Sequence, residues 1–234
     1  MSQRTSGITP LIKHADDGPS AAELASMKQH LAEKLKALSA LEDKSSVQYA
    51  RLQLDIAELL NALERRKEAW DIARDAFRIC MQQESWQDAV EACDVLFQAG
   101  QEDSLAVLGM GIWLGITFPI DPEVTVAMLI HLVEETPDAS DTGALAAIAA
   151  RYVVDLRADD DKHENLGFLV DNLIAMVAKR HSNVQDQDAM GRWLHQLELR
   201  DPQVFLPRLS QAVNTIVNDK WWFDRDALRD RLPE

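Results

Sequence analysis

Few residues in this 234-residue chain have both the type and the spacing that chemistry needs. Metal sites on helices use His with a second His or a carboxylate three or four residues on, turned into an enclosed space. His131 with Glu135, and His195 with Glu198, meet that spacing. The repeated Glu-x-x-His of a di-iron site is missing, so both pairs read as polar helix faces, and neither a metal nor another cofactor is expected. Asp159, Asp160, Asp161, His163 and Glu164 form an acidic cluster. Calcium would need alternating acids, a glycine at the tight turn and a closing bidentate Glu. The stretch lacks that glycine and that length, and reads as a solvated loop that supplies acids to a helix N-terminus. Gly109-x-Gly111-x-x-x-Gly115 has the look of a dinucleotide-binding turn, but no strand precedes it, so its glycines read as permitting close helix packing. No Ser, Cys or Lys sits in a nucleophile signature such as Gly-x-Ser-x-Gly. Cys80 and Cys93 fall inside apolar helical patterns and read as core. The expectation is a protein that is not an enzyme.

Recognition is a better use for the unusual residues. The formal charge is −15, and it is unevenly spread. From Ile79 to Ala150 there is no Lys or Arg, while the same stretch carries twelve Asp and Glu, leaving 27 acidic against 24 basic residues elsewhere. Phosphate neutralisation needs the opposite sign, so neither nucleic acid nor an anionic membrane surface is an expected partner. Glu84, Asp88, Glu91 and Asp94, with Trp86 beside them, read as an acidic helical face that favours a basic protein partner. Trp221-Trp222-Phe223 is the second unusual feature. Neighbours on a helix are about 100° apart, so the three rings of a helix could not all face one core. They read as a lid over the last helical layer, with Trp221 and Trp222 as anchors for a partner in the alternative reading.

The elements that position these residues are helical throughout. Apolar residues make up 47% of the chain, and Gly and Pro number nine and eight, which suits long helices. Residues 1–19 read as a flexible tail with a small apolar island at 8–12. Residues 20–234 read as one all-α domain of about ten helices, clearest as hairpins over 20–98 and irregular over 99–234. Ser20 and Glu23 have capping-box spacing. Leu24, Leu31 and Leu38 repeat at seven, and Leu52, Ile56, Leu59 and Leu63 follow at 4-3-4, as two helices of a hairpin would. Acid-Ala at 68–69 and Phe77 recur as acid-Ala at 88–89 and Phe97, an offset of 20, which is one helix plus one turn. The apolar run from Ser104 to Thr117 reads as a helix buried on all sides. Helix starts are expected at Asp121-Pro122 and Asp201-Pro202, with further helices over about 141–157, 166–180, 185–197 and 225–231. The longest apolar stretch, Leu105 to Phe118, is 14 residues, too short for a helix to span a bilayer. With no secretory signal in the N-terminal residues, a cytoplasmic location is expected.

Over residues 53–76 the chain resembles a tetratricopeptide-type hairpin. Ala57, Ala69, Ala73 and Ala76 take the small positions where two helices cross, and Ile56 and Leu60 the large ones. The match covers about one and a half repeats and lacks the early Trp, the Gly beside the crossing and the terminal Pro. The resemblance implies stacked antiparallel hairpins in a right-handed superhelix and binding of protein partners on a curved surface. It carries over no catalytic residue. Together these features predict a non-catalytic adaptor, chaperone or assembly factor. The runner-up is a structural subunit of a larger complex, and a cofactor-dependent helical enzyme comes third.

Overall fold

The computed structural model describes residues 19–232, and among them it contains eleven helices and no strand. The expected tail and its apolar island lie outside the described residues, apart from Pro19. The helices are α1 (Ala21–Ala40), α2 (Val47–Ala62), α3 (Arg66–Gln82), α4 (Trp86–Gln98), α5 (Ser104–Thr117), α6 (Pro122–Glu134), α7 (Asp141–Arg157), α8 (Asp160–Ser182), α9 (Gln187–Gln196), α10 (Pro202–Val217) and α11 (Arg225–Arg229).

Local chemistry sets most of these starts. The Ser20 hydroxyl accepts from the Glu23 amide while Glu23 accepts from the Ser20 amide at 2.7 Å, so two orphan donors of α1 are satisfied reciprocally. Asp121 and Asp201 cap α6 and α10, each followed by proline in the first turn. One start differs from expectation. The acids at 159–161 do serve a helix N-terminus, but with no longer loop between: Asp159 caps the helix by accepting from the Lys162 amide at 3.0 Å, and α8 begins at Asp160 rather than near Leu166. Acids favour the positive end of the helix dipole, which explains both their position and the early start.

The offset of 20 extends through the turns. Glu64 and Glu84 both adopt left-handed backbone (φ 59° and 54°). The next amides, of Arg65 and Ser85, close back on the carbonyls of Leu60 and Cys80 at 2.8 and 2.9 Å. These are Schellman closures with Glu in place of the usual Gly.

Helices adjacent in sequence pack on one another from α1 through α9, and α2, α4, α6 and α8 also touch one another in turn, forming one layer. Helix α10 packs on both α5 and α7 and bridges them. One contiguous apolar cluster runs from Leu31 to Leu228. Ala57, Ala69, Ala73 and Ala76 are fully buried in it. Helix α5 is its centre, with eleven of its fourteen residues buried. Its glycines admit its neighbours. A Cβ on Gly109 would lie 2.5 Å from Val217 of α10, and one on Gly115 3.1 Å from Thr125 of α6. A Cβ on Gly111 would overlap Met128 of α6 and sit 2.8 Å from the Cβ of Cys93 in α4. Arginines close three helix C-termini from outside. Arg157 donates to the carbonyls of Gly115 and Ile116, Arg180 to that of Val133, and Arg208 to that of Leu197. A cation belongs at that end of a helix dipole.

Gly111→Ala is therefore expected to destabilise the protein. Ala gains helix propensity, but the Cys93 backbone-anchored Cβ cannot swing away, and overpacking of this kind costs about 1–3 kcal/mol. Gly191→Ala in α9, where the nearest atom is the mobile end of Arg200 at 3.6 Å, should instead gain up to about 1 kcal/mol. Denaturant midpoints measured on both variants check the contrast.

Candidate functional site

The C-terminal return brings the unusual residues together. Helix α10 ends at Asn218, whose φ of 52° breaks it, and Trp221, Trp222 and Phe223 follow in non-helical backbone. Free of the helical rotation of about 100° per residue, all three rings reach the same wall of the protein. Trp222 packs edge-on against Trp70 and Phe77 of α3 at centroid distances of 6.1 and 5.5 Å. Phe223 lies 6.2 Å from Phe77 and 5.5 Å from Trp113 of α5, and Trp221 lies 6.2 Å from Trp113. Trp113 continues to Phe118, on which Trp86 of α4 stacks at 4.0 Å. Eight rings thus form one seam across α3, α4, α5 and the C-terminal segment. Trp86, Trp221, Trp222 and Phe223 are half-buried at its surface.

Cations border the seam. Arg74 sits 4.8 Å over Trp222, Arg225 4.1 Å over Trp221 and Arg229 5.6 Å over Trp113, within the range where the ring quadrupole attracts a positive charge. The segment is pinned at both ends, by Lys220 to Asp103 at 2.6 Å and by Arg231 to Glu84 at 2.9 Å. Asp224 caps α11 by accepting from the amides of Asp226 and Ala227.

The acidic face read from α4 divides in three. Glu84 and Trp86 join the aromatic seam, together with Trp221 and Trp222. Asp88 turns inward: it is 2% exposed, receives Arg51 of α2 at 2.7 Å and the Ser85 hydroxyl at 2.5 Å, and offers no surface charge. Asp94 turns toward α6, whereas Glu91 lies within electrostatic reach of Arg51 on α2. Glu91 accepts from Gln87, whose own oxygen accepts the Asp121 amide, and Asp94 meets His131 at 3.0 Å. The wider acidic run is answered by the fold. Six of its carboxylates (Glu84, Asp88, Asp103, Asp121, Glu123 and Asp141) pair with Arg231, Arg51, Lys220, Lys162 and Arg208, all from outside it.

The remaining spacings resolve into contacts of other kinds. The partner of His131 on its own helix is Glu134, at 3.4 Å, not Glu135. Glu198 lies beyond the end of α9 in left-handed backbone (φ 55°), so it does not share a helical face with His195. His163 meets Asp155 at 2.9 Å. Among the described residues no group of three or more His, Cys, Asp or Glu side chains could hold a metal ion, and no helix is long and apolar enough to cross a membrane. Burial, reinforced by the Asp88 charge, pushes the Cys80 thiol up to about 12, and burial raises Cys93 as well. Burial thus favours the protonated form of both thiols over the reactive thiolate.

One constellation escaped sequence reading. Asp141, His181 and Ser182 stand in the order of a charge-relay triad, with His181 at 3.2 Å from the Asp141 carboxylate and 2.6 Å from the Ser182 hydroxyl. The Trp193 indole N–H, which can only donate, points at the same His181 Nδ1 at 3.2 Å, so Nε2 carries the proton toward Asp141. Ser182, however, is the last residue of α8, where carbonyl oxygens and the negative end of the dipole would oppose a developing oxyanion. Arg208 also takes the second Asp141 oxygen at 3.2 Å. The network fastens α7, α8, α9 and α10 together.

No family model matches this chain, and neither a curated protein nor a solved structure does.

His131 carries a titration prediction. Burial works against its charge, but the Asp94 hydrogen bond and charge, aided by Glu134, outweigh it and leave the histidine above its ordinary 6.5. Its contribution to stability is therefore fully present below pH 6.5 and is lost as pH rises through the folded value. An NMR titration should place His131 above 6.5 in the wild type and lower it in Asp94→Asn, which should also flatten the loss of stability above pH 6.5. A wild-type midpoint below 6.5 would contradict the assignment.

Proposed function

We propose that this chain is a non-catalytic protein-interaction module, an adaptor or assembly factor, that docks a partner along α3 where Trp222 closes a groove. The observation that carries the reading is the groove itself, about 710 Å³, walled by Phe77, Met81 and Trp222 and rimmed by Asp71, Arg74, Asp75 and Arg78. Half-buried Trp with Arg on its face is the composition of binding hot spots. Met81 supplies an adaptable apolar wall. The resemblance of residues 53–76 to a tetratricopeptide hairpin, whose relatives bind protein segments, points the same way.

The rim is mixed in sign, since Asp75 pairs with Arg78 at 2.7 Å and Asp71 with Lys67 at 2.8 Å. The groove therefore reads an apolar or aromatic anchor flanked by polar contacts. The net charge of −15 acts at longer range and steers a basic partner toward it, an effect on association rate that salt weakens. A structural-subunit role has its own support in Phe168 and Leu156, which are 73% and 61% exposed on α8 and α7.

Photo-crosslinking separates the two readings. A photoreactive side chain at Gln82, in the groove, is expected to capture a discrete partner from native extract. Capture should fall about tenfold or more in Trp222→Ala and in the milder Arg74→Ala, the scale of a lost hot-spot contact. Equal capture from a probe at Glu33 on exposed α1 contradicts groove docking, and capture confined to a probe at Phe168 favours the subunit role.

A further inference from the structure

A second opening lies on the other side of the aromatic seam, between α5 and α10, and its construction is explained by two residues. The helices run antiparallel and touch where Gly109 meets Val213 and Val217. Pro207 lies inside α10, lines the gap between the two helices and lacks the amide that would bond one turn back. A wedge-shaped cavity of about 260 Å³ opens there. Its walls are aliphatic, from Ile112 and Ile116 on α5 and Leu206 and Leu209 on α10. The Trp113 ring forms one side, and the hydroxyls of Thr117 and Ser210 are its uncharged polar groups. Among the described residues no carboxylate lines it, and the charged group at its edge is Arg229. That guanidinium lies over the Trp113 ring, and its Asp226 partner, at 3.2 Å, is 90% exposed. An ion pair so open to water exchanges readily for another anion. The neighbouring Arg157 is already committed to the carbonyls of Gly115 and Ile116.

We propose that the α5–α10 cavity binds a small amphiphilic carboxylate, with the aliphatic body between Ile112, Ile116, Leu206 and Leu209 and the carboxylate on Arg229. Size and charge both point to this class. A cavity of about 150 Å³ lined by aliphatic and aromatic groups already takes up benzene, so this one accepts a longer body. An apolar pocket with one convergent cation and no acid discriminates against neutral and cationic amphiphiles of the same length. The proposal is independent of groove docking, because the two sites lie on different helices and share no lining residue.

The test uses the full chain labelled at tryptophan nitrogen, titrated with octanoate below its micellar range and, separately, with octanol. Octanoate should shift the Trp113 indole resonance saturably, with octanol about tenfold weaker, the share of one charge-assisted contact. Arg229→Gln, at an exposed position, should bring the two ligands to equal affinity. Ser210→Phe, which fills the cavity, should abolish both if it folds; if it does not, the Arg229→Gln comparison decides alone. Absence of a saturable Trp113 shift overturns the proposal. So does equal binding of octanoate and octanol by the wild type, or octanoate binding that Arg229→Gln leaves unchanged.

Discussion

Helix α5 is apolar on nearly every side, and a helix of that kind has to be enclosed by protein wherever water would otherwise reach it. Its three glycines show how the enclosure is made: Gly111 and Gly115 admit α4 and α6, and Gly109 admits α10. Even so, Trp113 is covered by the C-terminal segment, whose Trp221 and Phe223 close over it. The late part of the chain is thus a wall of the core. That explains why packing between sequence neighbours gives out after α9: α10 answers to α5 and α7 instead.

The proposed binding surfaces follow from the same constraint. A segment that crosses α3 to reach Trp113 must pass Phe77, and Trp222 comes to rest there, closing the groove on one side. Its cations come with it: Lys220 and Arg231 settle on Asp103 and Glu84, and Arg225 and Arg229 lie on the rings they accompany. Between α5 and α10, beside Pro207, the second cavity remains. Enclosing one apolar helix with α10 and a non-helical segment leaves one concavity at α3 and another between α5 and α10.

What could be read in the sequence was whatever depends on near neighbours. The caps at Ser20, Asp121 and Asp201 and the helix-plus-turn offset between α3 and α4 rest on contacts within a few residues, and the burial of most of α5 on the apolar composition of its own run, from which Leu105 at 47% exposure departs. The acidic cluster at 159–161 misled because the same acids suit a loop and a first helical turn, and the capping bond that decides between them is geometric. The candidate site was half legible. Glu84, Trp86, Trp221 and Trp222 were visible as unusual residues, but Phe77, Trp113 and Phe118, which join them, look like ordinary core positions. The acidic run looked unanswered because its cations are far along the chain, 37 residues away for Arg51 and Asp88 and 147 for Arg231 and Glu84. The three aromatics looked incompatible with a single core only under the assumption of helical backbone.

Native-state hydrogen exchange of the full chain tests the central claim, that α10 and the C-terminal segment complete the core around α5. If they do, the amides of α5 between Val107 and Leu114 and those of α10 between Leu209 and Val213 should open together, with free energies within about 1 kcal/mol of each other, as parts of one cooperative unit do. Opening of α10 at several kcal/mol lower cost, with α5 still fully protected, would show that α5 is enclosed without it and would contradict the account.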